Sequence, residues 1–217
     1  MAEADLPFVV YAAGGHARVV ADALLASGRE VLGFVDDDAR RHGAEVLGLP
    51  VLSPAGFQEL HRERPFYVAL GIGDNDARRT VYERCLTSRL LVATVIHPAA
   101  VIARSARVGA GTVVLAGAVL NAEASTREGC IINTGAIVEH DVEVGAFAHV
   151  SPGATLAGGS KLGASSHLGA NAVVIDDIVV GERTVVGAGA VVSRSLGDDV
   201  IAYGVPAKVR RRRGESR

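Results

Sequence analysis

Tryptophan is absent from this 217-residue chain, and only 4% of its residues are aromatic. Because 49% of the residues are nevertheless hydrophobic, any core must be built mainly from Val, Ile, Leu and Ala. No run of about 18 apolar residues occurs, so we expect no membrane-spanning helix. The N-terminus has no basic segment followed by a long apolar stretch, and we therefore expect no signal peptide.

The net charge is also small, and cysteine is scarce. The formal net charge of -2 creates no large field that would attract nucleic acid or an anionic membrane. The two cysteines, Cys85 and Cys130, match no metal-ligand spacing, so we predict buried free thiols, no metal and a reducing, cytoplasmic location. Four consecutive arginines, Arg210 to Arg213, predict a solvated, partly disordered C-terminal end.

Short apolar runs alternate with helix-like stretches over residues 7–90. PFVVYAA, EVLGFVDD and FYVALGI are typical of buried strands. HARVVADALLASG and NDARRTVYERCLTSR are typical of helices, the first ending at Gly28. Strands and helices in this order predict a small parallel α/β sheet flanked by helices.

The strand-to-helix junction YAAGGHARVV places Gly14 and Gly15 at a helix N-terminus, where backbone N–H groups can hold a phosphate. Ala12 and Ala17 stand where the full dinucleotide fingerprint has glycine, so a plain tight turn is the alternative. FVDDD follows the second strand, where a carboxylate can bind a ribose hydroxyl or a base edge.

A six-residue period begins near residue 96 and continues without insertion to residue 192. Sixteen of the seventeen residues at every sixth position from Ile96 to Val192 are aliphatic, and the other is Thr126. The residue two places before each is small except at Val142 and Ile178. Residues two apart on a strand face the same side, so both series face inward. This pattern predicts a solenoid with triangular coils of roughly 18 residues.

These segments, together with GIGDN, NTGAIVEHDVEVGAFAHVSPGATLAGG and YGVPAKV, make the chain resemble the hexapeptide-repeat sugar acetyltransferases of the NeuD/PglD type. The resemblance covers nearly the whole chain. It implies an α/β Rossmann-like nucleotide-sugar-binding domain at 1–94 and a left-handed parallel β-helix at 95–196. A C-terminal loop and basic tail follow at 197–217. It also implies a homotrimer with active sites in the clefts between subunits.

The resemblance also implies roles for individual residues. His140 corresponds to the catalytic base, and Asp141 is its acidic neighbour; the residues alone show only that a nearby carboxylate favours the charged imidazole. His149 corresponds to a residue that contacts acetyl-CoA, and His167, 18 residues on, is expected to stack above it. The remaining cofactor-binding positions are Gly158, Ala170, Ala188 and Lys208. The implied nucleotide-sugar-binding residues are Gly14, Gly15, His16, Asp36, Asp37 and Gly73.

The implied reaction is N-acetylation of the 4-amino group of a nucleotide-linked 4-amino-4,6-dideoxy sugar by acetyl-CoA. The amine attacks the thioester directly, His140 accepts the proton, and the Gly158 N–H stabilises the oxyanion. One alternative is O-acetylation of sialic acid or another sugar hydroxyl. Another is a gamma-type zinc carbonic anhydrase, although the histidine spacings do not fit its close ligand pair. A non-catalytic nucleotide-sugar sensor is the third.

Overall fold

The computed structural model describes residues 6–215, and the chain divides into two compact units between Pro98 and Ala99. Within the described range, no helix has the length and hydropathy needed to cross a bilayer. The helices of the first unit are α1 (Gly15–Ala26), α2 (Pro54–Glu63) and α3 (Asn75–Thr87). Its strands are β1 (Phe8–Tyr11), β2 (Val31–Val35), β3 (Glu45–Val46), β4 (Leu49–Leu52), β5 (Tyr67–Leu70), β6 (Leu91–Val92) and β7 (Val95–Ile96).

The first unit contains a six-stranded sheet in the order β3-β4-β2-β1-β5-β6. All its pairings are parallel except the one between β3 and β4. The three strands and two helices predicted over residues 7–90 are confirmed. Because β1 and β5 are parallel neighbours, their carboxyl ends open at the same edge of the sheet, where α1 and α3 begin. Such an edge is the usual ligand site of an open α/β sheet.

Local capping fixes the ends of the helices. The Asp74 side chain accepts a hydrogen bond of 2.9 Å from the Ala77 N–H and begins α3. Gly28 has φ +69° just after α1, which confirms it as the stop signal. The sequence analysis missed α2, although Ser53 caps it through the Gly56 N–H and proline occupies its first turn.

The second unit is a parallel β-helix of two-residue strands, followed by a terminal hairpin. The two-residue strands are β8 (Val101–Ile102), β9 (Val113–Val114), β10 (Val119–Leu120), β11 (Ser125–Thr126), β12 (Ile131–Ile132), β13 (Ile137–Val138), β14 (Glu143–Val144), β15 (His149–Val150), β16 (Thr155–Leu156), β17 (Lys161–Leu162), β18 (His167–Leu168), β19 (Val173–Val174), β20 (Val179–Val180), β21 (Val185–Val186) and β22 (Val191–Val192). Each ends on a residue of the six-residue series. At Val108, the series member without a strand, an isolated bridge joins Arg107 to Ser125.

Strands 18 residues apart pair in parallel, as Leu120 does with Val138 and Val138 with Leu156, so three sheets form the three faces of the coil. The inward aliphatic and small residues form one continuous core, in which most side chains are fully buried. The glycines that follow the aliphatic residues allow close approach: a Cβ on Gly145 would lie 2.5 Å from the backbone nitrogen of Ala164 on the next coil. Left-handed backbone occurs instead at another position of each hexad from Gly111 to Gly189, including Asp141 and Phe147.

Replacing Leu156 with alanine tests the core. Leu156 is fully buried between its register partners Val138 and Val174, whose own coils prevent the site from collapsing. We expect the free energy of unfolding to fall by about 2–5 kcal/mol. Chemical denaturation followed by circular dichroism measures this change. The partly exposed neighbour Thr155 provides the matched control, since Thr155→Ala should change stability far less; equal losses would contradict the assigned facing of β16.

The C-terminal segment forms a hairpin, and the Gly-Val-Pro of the predicted loop lies in its turn, residues 204–207. Strand β23 (Val200–Tyr203) pairs in parallel with β21, and β24 (Lys208–Arg212) pairs antiparallel with β23. The prediction of a disordered arginine-rich end is therefore wrong for residues 208–212. The hairpin forms because β23 extends one face of the β-helix and offers its open edge to a returning strand. The arginines remain largely exposed on this strand.

Candidate functional site

His140 and Asp141 lie at a corner of the β-helix, in the turn between β13 and β14. Asp141 has φ 60°, a left-handed conformation that aspartate tolerates better than most residues. The side chains of His140 and Asp141 are 62% and 64% exposed, and His140 Nδ1 lies 2.9 Å from Asp141 Oδ2. His140 therefore faces outward beside Asp141.

The Asp141 carboxylate can only accept a hydrogen bond, so it fixes a proton on Nδ1 of His140. In the neutral ring, Nε2 is then the basic atom. This hydrogen bond raises the pKa of His140 above its ordinary value, and the negative charges of Asp141, Glu139 and Asp176 act in the same direction. The arrangement suits a general base that acts through Nε2.

Gly158 lies directly beneath the His140 ring, one coil further along. A Cβ on Gly158 would lie 2.6 Å from Cε1 and 2.7 Å from Nε2 of His140, so only glycine leaves room for the ring. The Gly159 N–H donates to the His140 carbonyl at 2.9 Å, and this bond holds the two turns together. Among the bonds between described residues, none uses the Gly158 N–H, which is therefore a candidate donor to a ligand.

Ala170 and Ala188 occupy the same place in their hexads as Gly158. Their N–H groups likewise take part in no backbone hydrogen bond within residues 6–215. Because they are 18 residues apart, they stack on one corner, whereas Gly158 lies on the corner of His140. The structure thus brings Ala170 and Ala188 together but separates them from Gly158 within one chain.

His149 and His167 stack on another face. They are register partners on β15 and β18, with ring centroids 4.6 Å apart, which confirms the predicted stacking. His149 is only 8% exposed, and its Nε2 lies 3.0 Å from the amide nitrogen of Asn133. His167 Nε2 lies 2.8 Å from the Ser151 hydroxyl. The sequence analysis missed Asn133 and Ser151, although each precedes its histidine by 16 residues.

An open groove of about 700 Å³ runs along the face formed by β11, β14, β17 and β20. This face begins immediately after the His140 corner, since β14 follows that turn. Gly145, Gly163 and Gly181 contribute no side chains to the wall of the groove. Glu143 and Lys161 form an ion pair of 2.6 Å across it. The groove is large enough for an extended ligand.

The predicted phosphate-binding residues meet at the carboxyl ends of β1 and β5. Gly14 is the N-cap of α1 and Gly15 its first residue, and a Cβ on either would meet no atom within 4 Å. A Cβ on Gly73, just before α3, would lie 3.9 Å from the Cβ of His16, so the two loops are adjacent. Ala12, in a glycine position of the dinucleotide fingerprint, has φ 79°. Burial, together with the nearby charge of Arg78, lowers the pKa of His16 to about 4.

Asp36 and Asp37 point to different partners. The Asp36 carboxylate is 14% exposed and accepts hydrogen bonds of 2.8 and 2.9 Å from the N–H groups of Ala13 and Asp38. Asp36 therefore holds the loop that leads into α1. Asp37 is 55% exposed and accepts a 2.8 Å hydrogen bond from the Tyr11 hydroxyl. It also pairs with Arg84 at 3.1 Å, and its exposure leaves it accessible to a ligand.

Substitution of the two aspartates should separate these roles. Asp36→Ala leaves the buried Ala13 N–H without its acceptor, so we expect a loss of about 1–3 kcal/mol in unfolding free energy and weaker nucleotide binding. Asp37→Ala should weaken nucleotide binding with little change in stability, because the side chain is half exposed. Thermal unfolding and calorimetric titration measure the two effects. Equal destabilisation by both substitutions would contradict the division of roles.

Each of the two units matches a known protein family. Residues 8–85 match the PglD N-terminal domain family, and residues 159–194 match the bacterial transferase hexapeptide family (six repeats). None of the curated proteins compared with the chain matches it. Among the residues that the structure describes, no three His, Cys, Asp or Glu side chains are grouped as metal ligands would be.

Solved structures that are similar over almost the full length include two acetyltransferases. One is a mutant of perosamine N-acetyltransferase from Caulobacter crescentus in complex with CoA and GDP-perosamine. It is 38% identical, with a TM-score of 0.90, and the match covers 94% of this chain and 96% of that chain. The other is the acetyltransferase domain of PglB from Neisseria gonorrhoeae FA1090 in complex with acetyl coenzyme A. It is 35% identical, with a TM-score of 0.87, and the match covers 94% of this chain and 99% of that chain.

Proposed function

The chain belongs to the hexapeptide-repeat sugar acetyltransferases of the PglD type, and from this premise we propose that it N-acetylates a nucleotide-linked 4-amino-4,6-dideoxy sugar with acetyl-CoA. The observation that carries the proposal is the His140–Asp141 pair, exposed at a corner directly over Gly158. The Caulobacter crescentus enzyme, which binds CoA and GDP-perosamine, supports both the donor and the class of acceptor.

The reaction needs one base and one oxyanion donor. The sugar amine attacks the thioester carbonyl, a C–N bond forms, and Nε2 of His140 accepts the proton that the nitrogen loses. The C–S bond then breaks, and His140 returns the proton to the sulfur of CoA. Asp141 keeps the ring oriented and stabilises the imidazolium, and the Gly158 N–H donates to the oxyanion. A thioester is already activated, so the mechanism needs no covalent enzyme intermediate.

Acetyl-CoA is proposed to lie along the β-helix. The 700 Å³ groove beside the His140 corner supports this placement, as do the N–H groups of Ala170 and Ala188, which lack backbone partners within residues 6–215. His149 would contact the acetyl end, held in place by Asn133 and His167. Lys208, exposed at the start of β24, would lie near a phosphate of CoA.

The nucleotide is proposed to bind at the sheet edge of the first unit. Gly14, Gly15 and His16 would hold the diphosphate at the start of α1, with Gly73 on the facing loop. Asp37 would contact the base or ribose, and Asp36 would keep the loop in shape. Binding energy from the nucleotide then positions the distant amine for attack.

A homotrimer is part of the proposal. His140 and His149 belong to different faces of one coil, so they meet in a single site only across the junction of two subunits. Analytical ultracentrifugation should give three times the chain mass of 22.3 kDa. Mixed trimers of inactive His140→Ala and His149→Ala chains should regain activity at shared clefts. A monomer with full activity would contradict the trimer. The thiols of Cys85 and Cys130, which are not joined by a disulfide, fit a reducing, cytoplasmic setting for this chemistry.

Thiol release from acetyl-CoA tests the function directly. The acceptors are UDP-, GDP- and dTDP-linked 4-amino-4,6-dideoxy sugars, with GDP-perosamine first because the Caulobacter crescentus enzyme binds it. Turnover with one member, together with an amide in the product, is the expected result. Absence of turnover with every amine, together with thiol release in the presence of sialic acid, would replace the proposal with O-acetylation.

A further inference from the structure

Arg78, on the first turns of α3, is fully buried even though it carries a charge. One guanidinium nitrogen, Nη1, lies 3.1 Å from the carbonyl oxygens of Ile72 and Gly73 and 3.3 Å from that of Asp74. The other, Nη2, donates to the side-chain oxygen of Asn75 at 2.9 Å. A single side chain thus binds three consecutive carbonyls of the loop between β5 and α3.

This binding determines which way the loop presents its peptide groups. When consecutive carbonyls turn inward to one guanidinium, the N–H groups of the same peptides are available on the opposite side. No hydrogen bond among residues 6–215 uses the N–H groups of Gly73 and Asp74. Burial of a charged guanidinium is costly unless hydrogen bonds compensate for it, and the bonds to the three carbonyls and to Asn75 do so here.

Charges of both signs surround the loop, since the Asp74 and Asp76 carboxylates stand at the start of α3. The N-terminus of α3 carries a partial positive charge from its peptide dipoles, and so does that of α1 across from it. His16, close to Gly73, adds no charge at neutral pH because burial and the Arg78 charge hold its pKa near 4. The fixed positive charges near the site are Arg78, the two helix ends and Arg41, whose Nη1 donates to the Ala13 carbonyl at 3.1 Å.

We propose that Arg78 is a positioning residue for the diphosphate of the nucleotide sugar: it shapes the 72–75 loop so that its N–H groups bind phosphate oxygens. The inference rests on the proposed function, since it assumes a nucleoside diphosphate ligand. Arg78 acts through the loop, because its own nitrogens are occupied by the carbonyls and by Asn75. The planar fork of arginine suits this bridging, whereas lysine supplies a single point of contact.

The test is calorimetric titration of the full chain with GDP, UDP and dTDP. For the nucleotide that binds, Arg78→Gln should raise Kd about 10- to 100-fold, because the loop loses charge-assisted bonds and the site loses a charge. Arg78→Lys keeps the positive charge but not the planar guanidinium, and should therefore give a smaller rise in Kd. The control is Arg79→Gln, since Arg79 is half exposed and pairs with Glu83 at 3.0 Å; its Kd should match the wild type.

Comparison with the nucleoside monophosphate separates positioning from general stability. The loss in Arg78→Gln should be several-fold larger for the diphosphate than for the monophosphate, with the KM for acetyl-CoA unchanged. Equal losses for both nucleotides, or an unchanged Kd for the diphosphate, would overturn the inference. Should Arg78→Gln fail to fold, Arg78→Lys is used in its place. The test is again whether the loss of affinity is larger for the diphosphate than for the monophosphate. A wild-type chain that binds none of the three nucleotides would instead refute the proposed function.

Discussion

Replacement of His140 with alanine is expected to lower kcat/KM for the amino sugar by about 10²- to 10⁴-fold, the range typical of a lost general base. The KM for acetyl-CoA should change little, since the ring is proposed to act on the amine and not to hold the donor. Steady-state thiol release with both substrates varied measures each parameter. Because the side chain is 62% exposed, the melting temperature should stay that of the wild type.

The control for this substitution is His61→Ala, which removes an exposed histidine from the first unit and should leave kcat/KM near the wild-type value. A His140→Ala protein with wild-type kcat/KM would disprove the base assignment. A loss that is almost total would favour a hydroxyl acceptor, because a hydroxyl group needs a base more than an amine does.

The pH dependence tests the same assignment independently. His140 must be neutral to accept a proton, so kcat/KM should fall as the pH drops through its pKa, which Asp141 raises above the ordinary value. Asp141→Asn removes the carboxylate and should therefore move this acid limb to lower pH, while the plateau also falls because the ring is less well oriented. Profiles of kcat/KM against pH for both proteins measure the shift. An acid limb at the same pH in both would assign it to another group.

The β-helix was predictable from the sequence because the six-residue pattern that specifies it is local and repeated. Every inward residue from Ile102 to Val192 meets the same narrow interior, so the period of six is visible without knowing any contact. The outward direction of His140 and the stacking of His167 on His149 follow from the same count. Helices α1 and α3 were likewise predictable from their apolar pattern, and Gly28 marked the end of α1.

Features that depend on distant or directional contacts were not predictable in this way. Asp36 and Asp37 are adjacent in the sequence, and only the folded loop shows that one binds the backbone and the other Tyr11. The bond from Asn133 to His149 joins neighbouring coils. Burial of Arg78 beneath a glycine loop contradicts its usual preference for the surface. Strand β24 depends on the open edge of β23, which its own arginine-rich sequence does not indicate.

Gly158→Ala is expected to reduce kcat/KM by about 10²-fold, although Gly158 carries no side chain. The new methyl group would lie 2.6–2.7 Å from the His140 ring, well inside van der Waals contact, so the exposed ring must move away from its position beside Asp141. The backbone at Gly158 is not left-handed, so alanine adds no conformational strain. Thiol release should fall while circular dichroism and the melting temperature stay close to those of the wild type.

The matched control is Gly197→Ala, also in the β-helix unit, where a Cβ would meet no atom within 4 Å. This substitution should leave both activity and stability unchanged. A double-mutant cycle then identifies the route of the effect, because Gly158→Ala should add little further loss in a His140→Ala background. Fully additive losses would mean that Gly158 contributes separately from the ring, through its N–H at the oxyanion. Strongly non-additive losses would mean that Gly158 acts mainly through the His140 ring. Because glycine has no side chain, it leaves the space that the ring needs to reach the amine.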